Sequence, residues 1–189
     1  MTGFDNATHT YYLDGVIVPS VTQILYRAGL INFSYVDTET LRQKADIGTK
    51  VHTACQMWDD DELDEETLHP VLAGYLDSWK KFREMTGFIP DVHEKMVISR
   101  RYKFGGTMDV VGMIGKDRTL VDIKTGCKTK AHPIQTAAYQ LLFEDCLGTR
   151  INKRMSVYLS AKGLPNIYPH EDKRDKYIFL GYLAKGGWL

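Results

Sequence analysis

The stretch from Tyr102 to Gly126, YKFGGTMDVVGMIGKDRTLVDIKTG, limits what this chain can fold into more than any other. It reads as two neighbouring strands with a tight connection. Phe104 to Ile114 is apolar and β-branched, and so is Thr119 to Ile123, which suits a pleated, half-buried surface. Gly115-Lys116-Asp117 supplies the turn between them. Successive strand side chains alternate faces, so Asp122 and Lys124 point the same way while Val121 and Ile123 point into the core. Asp109 is the only carboxylate in the preceding apolar strand. Pairing of the two strands across the turn brings Asp109 and Asp122 together at one sheet end, with Lys124 close by.

Two carboxylates and an ammonium on a half-buried sheet are costly unless something pairs them. A divalent metal does so. Mg²⁺ takes carboxylate oxygens, backbone carbonyls and waters, and leaves positions for substrate phosphates. The lysine then faces an attacking water or the phosphate charge. A lone D-x-K describes a surface hairpin with an Asp–Lys pair. The G-G-x-x-D before it and the Thr-Gly after it select the site reading.

At these residues the chain resembles a known family. GGTMD followed by VDIKTG is similar to the core motif of the PD-(D/E)XK nucleases, in the branch typified by the RecB nuclease domain. GTKVHTACQ, Gly48 to Gln56, resembles that branch's G-x-x-x-H helix. Glu94 resembles its upstream glutamate, and Gln135 with Tyr139 its Q-x-x-x-Y helix. The resemblance covers roughly Gly48 to Tyr139. A further short match, VPSVTQIL at Val18 to Leu25, is similar to the N-terminus of phage-type and mitochondrial exonucleases of the branch.

The resemblance implies metal-dependent hydrolysis of DNA phosphodiesters by an exonuclease. His52, Asp109 and Asp122 then hold the metal, with the Ile123 carbonyl as a further ligand. Glu94 supports the attacking water or is itself a ligand. Lys124 orients that water or stabilises transition-state charge, and Gln135 and Tyr139 position the lysine and the DNA. The cofactor is Mg²⁺ or, given an imidazole in the set, Mn²⁺. Some RecB-like members carry an iron–sulfur cluster on a trio of cysteines near the C-terminus. This chain has no cysteine after Cys146, so no cluster is expected. The implied partner is DNA, as single strands or duplex ends, within phage or bacterial recombination, repair or processing, alongside a phage recombination or replication protein. Two alternatives stand beside this reading. One is an endonuclease, structure-specific or of the restriction type; the His52 helix and the Gln135–Tyr139 pair argue against the restriction type. The other is a catalytically idle DNA-binding protein of the same fold, against which the presence of Asp109, Asp122 and Lys124 argues.

At 189 residues the chain suits one domain, 1–189, able to bury its own core. The expected divisions are a hairpin and helix over 8–30 and a catalytic core over about 40–160. The charge balance is even, 24 basic against 24 acidic residues, which argues against a non-specific nucleic-acid coat protein. A nuclease needs basic residues only along its cleft. The candidates are Arg100, Arg101 and Lys103 at a hairpin tip, and Lys128 and Lys130 beyond the catalytic strand. Cys55, Cys127 and Cys146 form no disulfide framework and suggest a reducing, cytoplasmic setting in a bacterial or phage-infected cell. No signal peptide and no membrane span is read from the sequence.

The remaining elements follow from punctuation and period. Thr8 to Val18 reads as a hairpin around Asp14-Gly15, and Ser20 caps the helix after it. Thr38 to Trp58 is helical, with Leu41, Ala45, Gly48, Val51 and Cys55 on one face and His52 beside it. DDDELDEE, Asp59 to Glu66, lacks the Ca²⁺-loop pattern and reads as a solvated loop. A helix over Pro70 to Thr86 ends at Gly87. A strand over Val92 to Ser99 follows, then the core pair, a helix over Pro133 to Leu147, strands at Met155 to Ser160 and near Ile167, and a closing helix within Glu171 to Lys185. The GGWL tail is unassigned. The fold class is α/β: a central mixed sheet, built from the strands at Glu94, Phe104, Thr119 and Met155, flanked by helices. The N-terminal hairpin and helix are expected to roof the cleft, so that a single-stranded end threads in and stacks on Tyr11, Tyr12 or Tyr35.

Overall fold

A computed structural model describes the chain except residues 33, 35, 188 and 189. The stacking role expected of Tyr35 and the end of the GGWL tail lie outside the described residues. The chain opens with three short strands, β1 (Thr2–Asp5), β2 (Thr10–Leu13) and β3 (Val16–Val18), paired antiparallel in that order. The hairpin expected around Asp14-Gly15 is β2–β3. β1 is an addition, seated because Phe4 lies opposite Tyr11 with ring centres 4.8 Å apart. Helix α1 (Val21–Arg27) starts in a complete capping box: the Ser20 hydroxyl accepts from the Gln23 N–H, and the Gln23 side chain accepts from the Ser20 N–H.

Helix α2 (Thr38–Asp59) follows, capped by Asp37. Its predicted apolar face is buried only at Val51 and Cys55; Ala45 is exposed and Leu41 half-exposed, so full burial of that face is confined to the second half of α2. α3 (Pro70–Thr86) is terminated by Gly87 in the left-handed region, φ +64°. Strands β4 (Phe88–Ser99), β5 (Phe104–Ile114) and β6 (Asp117–Lys124) then form a meander, α4 (Ala131–Leu147) crosses over, and β7 (Lys153–Tyr158), β8 (Asn166–Pro169) and α5 (Asp175–Lys185) complete the chain.

The main sheet runs β4-β5-β6-β7-β8, antiparallel except for the parallel β6–β7 pair that α4 connects. α1, α4 and α5 cover one face through Ile24, Leu142 and Phe179. α2 and α3 cover the other through Val51, Trp79 and Phe82. β6 is therefore buried on both faces, with Leu120, Val121 and Ile123 all sealed.

One reading of the acidic run is corrected. Asp59 belongs to α2 and its side chain is fully buried. It accepts from Trp79 Nε1, at 3.1 Å to each oxygen, and from Arg83, and His93 Nε2 lies 3.2 Å away. This carboxylate fastens the end of α2 to α3 and β4.

The feature that makes a site possible is a fork. β5 pairs with β4 along its whole length but with β6 only from Val110 to Ile114. The segment Phe104 to Asp109 leaves β6 and turns to the small sheet, where Gly105 N donates to Pro19 O at 2.9 Å. The two glycines of GGTMD permit this. A Cβ on Gly105 would stand 2.5 Å from the Tyr11 ring, and one on Gly106 2.9 Å from the Tyr139 ring.

Candidate active site

Asp109 sits where β5 leaves β6. Its Oδ2 accepts the Ile123 N–H at 2.7 Å, taking over a backbone donor that the opened ladder no longer satisfies. Glu94 stands across from it, between the pairs His93↔Val110 and Lys95↔Met108. Its backbone has φ +42°, a strained value for a side-chain-bearing residue. Strain of this kind collects at functional sites.

His52 approaches from α2. Its Nδ1 is 3.3 Å from Glu94 Oε1 and 3.7 Å from Asp109 Oδ1, and its Nε2 is 3.2 Å from the Ile123 carbonyl. Both ring nitrogens thus face acceptors, which requires a proton on each. Burial works against that charge, but the Asp109 and Glu94 carboxylates outweigh it and hold the imidazole at about 9. His52, Glu94 and Asp109, from α2, β4 and β5, place one ligand atom each within 4.8 Å of one another. One imidazole and two carboxylates could hold a divalent metal ion. A cation held there would replace the proton on Nδ1, the nitrogen that faces the carboxylates. The Nε2–H to Ile123 contact would then orient the imidazole as such a ligand.

Asp122 has a different environment. Its side chain is sealed from solvent, Oδ1 accepts from Lys124 Nζ at 2.7 Å, and Oδ2 accepts from Ser156 Oγ at 3.1 Å. Ser156 Oγ also lies 3.0 Å from His170 Nε2. A hydroxyl has one proton, and the carboxylate is the stronger acceptor, so His170 Nε2–H must donate to Ser156. Burial and the Arg154 guanidinium push His170 down to about 4, so it donates as the neutral ring. Burial raises Asp122, and the Lys124 ammonium beside it counters that. Lys124 is held above the usual lysine range: burial opposes the charge, and Asp122 and Asp109 outweigh burial.

The residues named from sequence form two adjoining groups, and the charge of Asp109 acts on both Asp122 and Lys124. Asp122 and Lys124 share a face, as the strand period requires. His52, Asp109 and Glu94 converge, but both oxygens of Asp122 are engaged elsewhere, and the Ile123 carbonyl accepts from His52. Gln135 and Tyr139 are not the exposed pair their spacing alone suggests. Gln135 Nε2 donates to the Tyr139 hydroxyl at 3.1 Å, and Tyr139 is buried with its phenol well above the normal range, through burial and then the charges of Asp109 and Asp122. Since its oxygen accepts from Gln135, its own proton is free to donate.

Ser156 and His170 were not singled out. Their signal lies in the parallel register Asp122↔Ser156 and the pair Ser156↔Tyr168, which depend on strands far apart in the chain. His132, whose Nδ1 meets the Tyr158 hydroxyl, was missed for the same reason.

The basic candidates also divide. Arg100 is bound to Asp14 at 2.8 Å and Arg101 lies over the Tyr102 ring. With Lys103 they occupy the β4–β5 tip, about 17 Å along β5 from Asp109 at the usual strand rise. Lys128 and Lys130 lie on the loop that leaves Lys124, with Lys128 Nζ 3.8 Å from the centre of the Tyr168 ring. Tyr11 is buried, its hydroxyl bonded to Thr107, so it offers no free stacking face. Tyr12 alternates to the other face of β2.

A cleft of about 580 Å³ is lined by Glu94, Asp109 and Tyr139 together with Phe4, Asn6, His9 and Tyr11 of the first strands and their turn. Cys55 is buried on α2, while Cys127 and Cys146 are exposed. Among the described residues, no helix is long and apolar enough to cross a membrane.

No family model and no curated protein matches the chain. Among solved structures, a protein of Eubacterium rectale named "Putative exonuclease" superposes with a TM-score of 0.44 at 10% identity, over 75% of this chain and 65% of that one. A second, SSO0001, superposes with a TM-score of 0.36 at 17% identity, over 87% and 81%. This chain thus spans just under two thirds of the length of the first.

Proposed function

We propose that this chain is a divalent-metal-dependent nuclease of the PD-(D/E)XK type that hydrolyses DNA phosphodiesters, and that it works as an exonuclease. The observation that carries this reading is the convergence of His52, Glu94 and Asp109 within 4.8 Å at the fork, on the strand pair that also presents Lys124.

His52, Glu94 and Asp109 would hold the ion, while Asp122 would keep its contact with Lys124. The bound ion would supply Lewis-acid stabilisation of the phosphate and favour deprotonation of water. The chain's own groups do the rest. Lys124 is kept charged in a poorly solvated place, where an aligned ammonium counts for far more against developing phosphate charge than it does in water. Ser156 and His170 hold Asp122, and Asp122 aims Lys124. Tyr139, whose oxygen already accepts from Gln135, would donate its proton to a phosphate oxygen at the ion site. Lys128 and Lys130 lead the strand in, so binding weakens with salt.

The exonuclease assignment rests on the small sheet, which walls the cleft on the side away from the carboxylates and favours entry by a free end. The test is end-labelled linear and closed-circular single-stranded DNA, incubated with Mg²⁺, Mn²⁺ or chelator. Degradation of the linear strand alone, abolished by chelator, is the expected result. Equal loss of the circle turns the assignment to endonuclease, and cleavage that survives chelation removes the metal reading.

A further inference from the structure

We infer that the cleft beside the carboxylates is a subsite for the base and sugar of one unstacked nucleotide, and that the turn between β1 and β2 builds it. The inference takes its substrate class from the nuclease reading and its geometry from the cleft alone. The cleft's 580 Å³ falls in the range of small-molecule sites. Glu94, Asp109 and Tyr139 form one wall. Phe4, Asn6 and His9 form the other.

The charge of the lining decides which part of a nucleotide fits. Among the described residues no lysine or arginine lines the cleft, and two carboxylates do. A phosphate away from the ion site would find repulsion and no counter-charge. The neutral portion of the nucleotide meets no such cost.

The far wall carries the groups that recognise a base. The Phe4 ring meets His9 edge-on, with centres 5.6 Å apart and planes at 71°, and rests on Tyr11 at 4.8 Å. Tyr11 is in turn fixed by Thr107 and the close approach of Gly105. The aromatic wall is therefore braced against β5. His9 is exposed and held at φ +48°, a left-handed conformation that a histidine adopts at some cost. Asn6, exposed on the same turn, offers both a donor and an acceptor to a base edge. Aromatic faces with one amide, in a cleft of this size, match the way single-stranded bases are held once splayed from their neighbours.

The direct test is NMR of the metal-free protein with labelled histidine and phenylalanine rings, titrated with thymidine 5′-monophosphate and separately with inorganic phosphate. The nucleotide should move the His9 and Phe4 ring signals saturably at millimolar concentration, while phosphate leaves them in place. Silence towards the nucleotide, or an equal response to phosphate, overturns the subsite. A kinetic arm uses the exposed turn, where substitution spares the core. His9→Ala and Asn6→Ala should each raise KM for a single-stranded oligonucleotide, by about tenfold where a stacked ring is lost, with kcat unchanged. An unchanged KM in both counts against the subsite. The titration needs no turnover, so its outcome separates from that of the nuclease reading. Ring shifts in a chain that cleaves nothing would leave the subsite standing and remove the reaction.

Discussion

Two aspartates stand on neighbouring strands of the fork and have opposite surroundings. Asp109 spends one oxygen on a backbone N–H, and turns the other towards His52 beside an opposing glutamate. Asp122 has both oxygens filled, by an ammonium and by a hydroxyl that a neutral histidine supports. The first is a cluster of acceptors held together by one imidazolium, and it has room for a cation. The second is a closed network that has already paired its charge. The sequence pattern treats the two as equivalent; the register of β7 and the departure of β5 from β6 make them different. On the proposed reading, ion-holding and charge-aiming would fall to separate halves of the fork.

The largest expected effect tests that division of labour. Lys124→Ala should lower the rate of cleavage by about a hundredfold to a thousandfold, the usual loss for one aligned transition-state group, while Mn²⁺ affinity by calorimetry stays near the wild-type value. Near-normal cleavage would end the role for Lys124, and loss of Mn²⁺ binding in a folded variant would merge the two halves again.

A smaller effect belongs to the closed half alone. Ser156→Ala leaves one oxygen of the buried Asp122 without its donor. A hydrogen bond to a buried charge contributes about 2 kcal/mol, so the melting temperature should fall by about 4–8 °C for a chain of this size. Mn²⁺ binding should not change. A variant that melts with the wild type would show that the Asp122 network is slack.

The two halves also oppose one another in pH. His132 and His170 are pushed from 6.5 down to about 4, by burial and then by Lys124 and Arg154 respectively. The unfolded chain binds more protons than the folded one in that window, so stability should fall as pH drops from 6.5 through 4. His52 is raised to about 9. Its contribution in the metal-free protein is complete below 6.5 and is lost as pH rises through about 9. Urea midpoints of the chelated protein should therefore decline on both sides of neutrality. Replacing His52 with glutamine should flatten the alkaline side alone. An unaltered alkaline limb would mean that His52 does not hold the open half together.

Arg100→Ala is the smallest case. Its partner Asp14 is exposed and the pair lies at the tip, away from the site, and exposed pairs of this kind contribute little. Cleavage and melting should both match the wild type; a clear loss of DNA binding would bring the tip into the interface.

Much of this fold was legible because it is written locally. β5 occupies Phe104–Ile114 and α3 occupies Pro70–Thr86, the bounds expected from a β-branched run and from Pro and Gly punctuation. The shared face of Asp122 and Lys124 followed from a period of two. What was not legible depends on contacts between distant segments. Asp59 looked like part of a solvated acidic run because Trp79 and Arg83, which bury it, come 20 and 24 residues later. β1 is short and half-buried, and gains its place only by pairing with β2. Glu94, expected as a support or a ligand, does stand in the group around His52, but how β5 leaves β6 at Asp109 depends on Gly105 and Gly106 meeting the rings of Tyr11 and Tyr139, far away in the chain.

The most direct measurement is anomalous scattering from crystals grown or soaked in Mn²⁺. The account predicts a peak bounded by His52 Nδ1 and carboxylate oxygens of Asp109 and Glu94, which is lost in Asp109→Asn. A peak held elsewhere, or no peak at saturating Mn²⁺ with these three side chains in place, would contradict it.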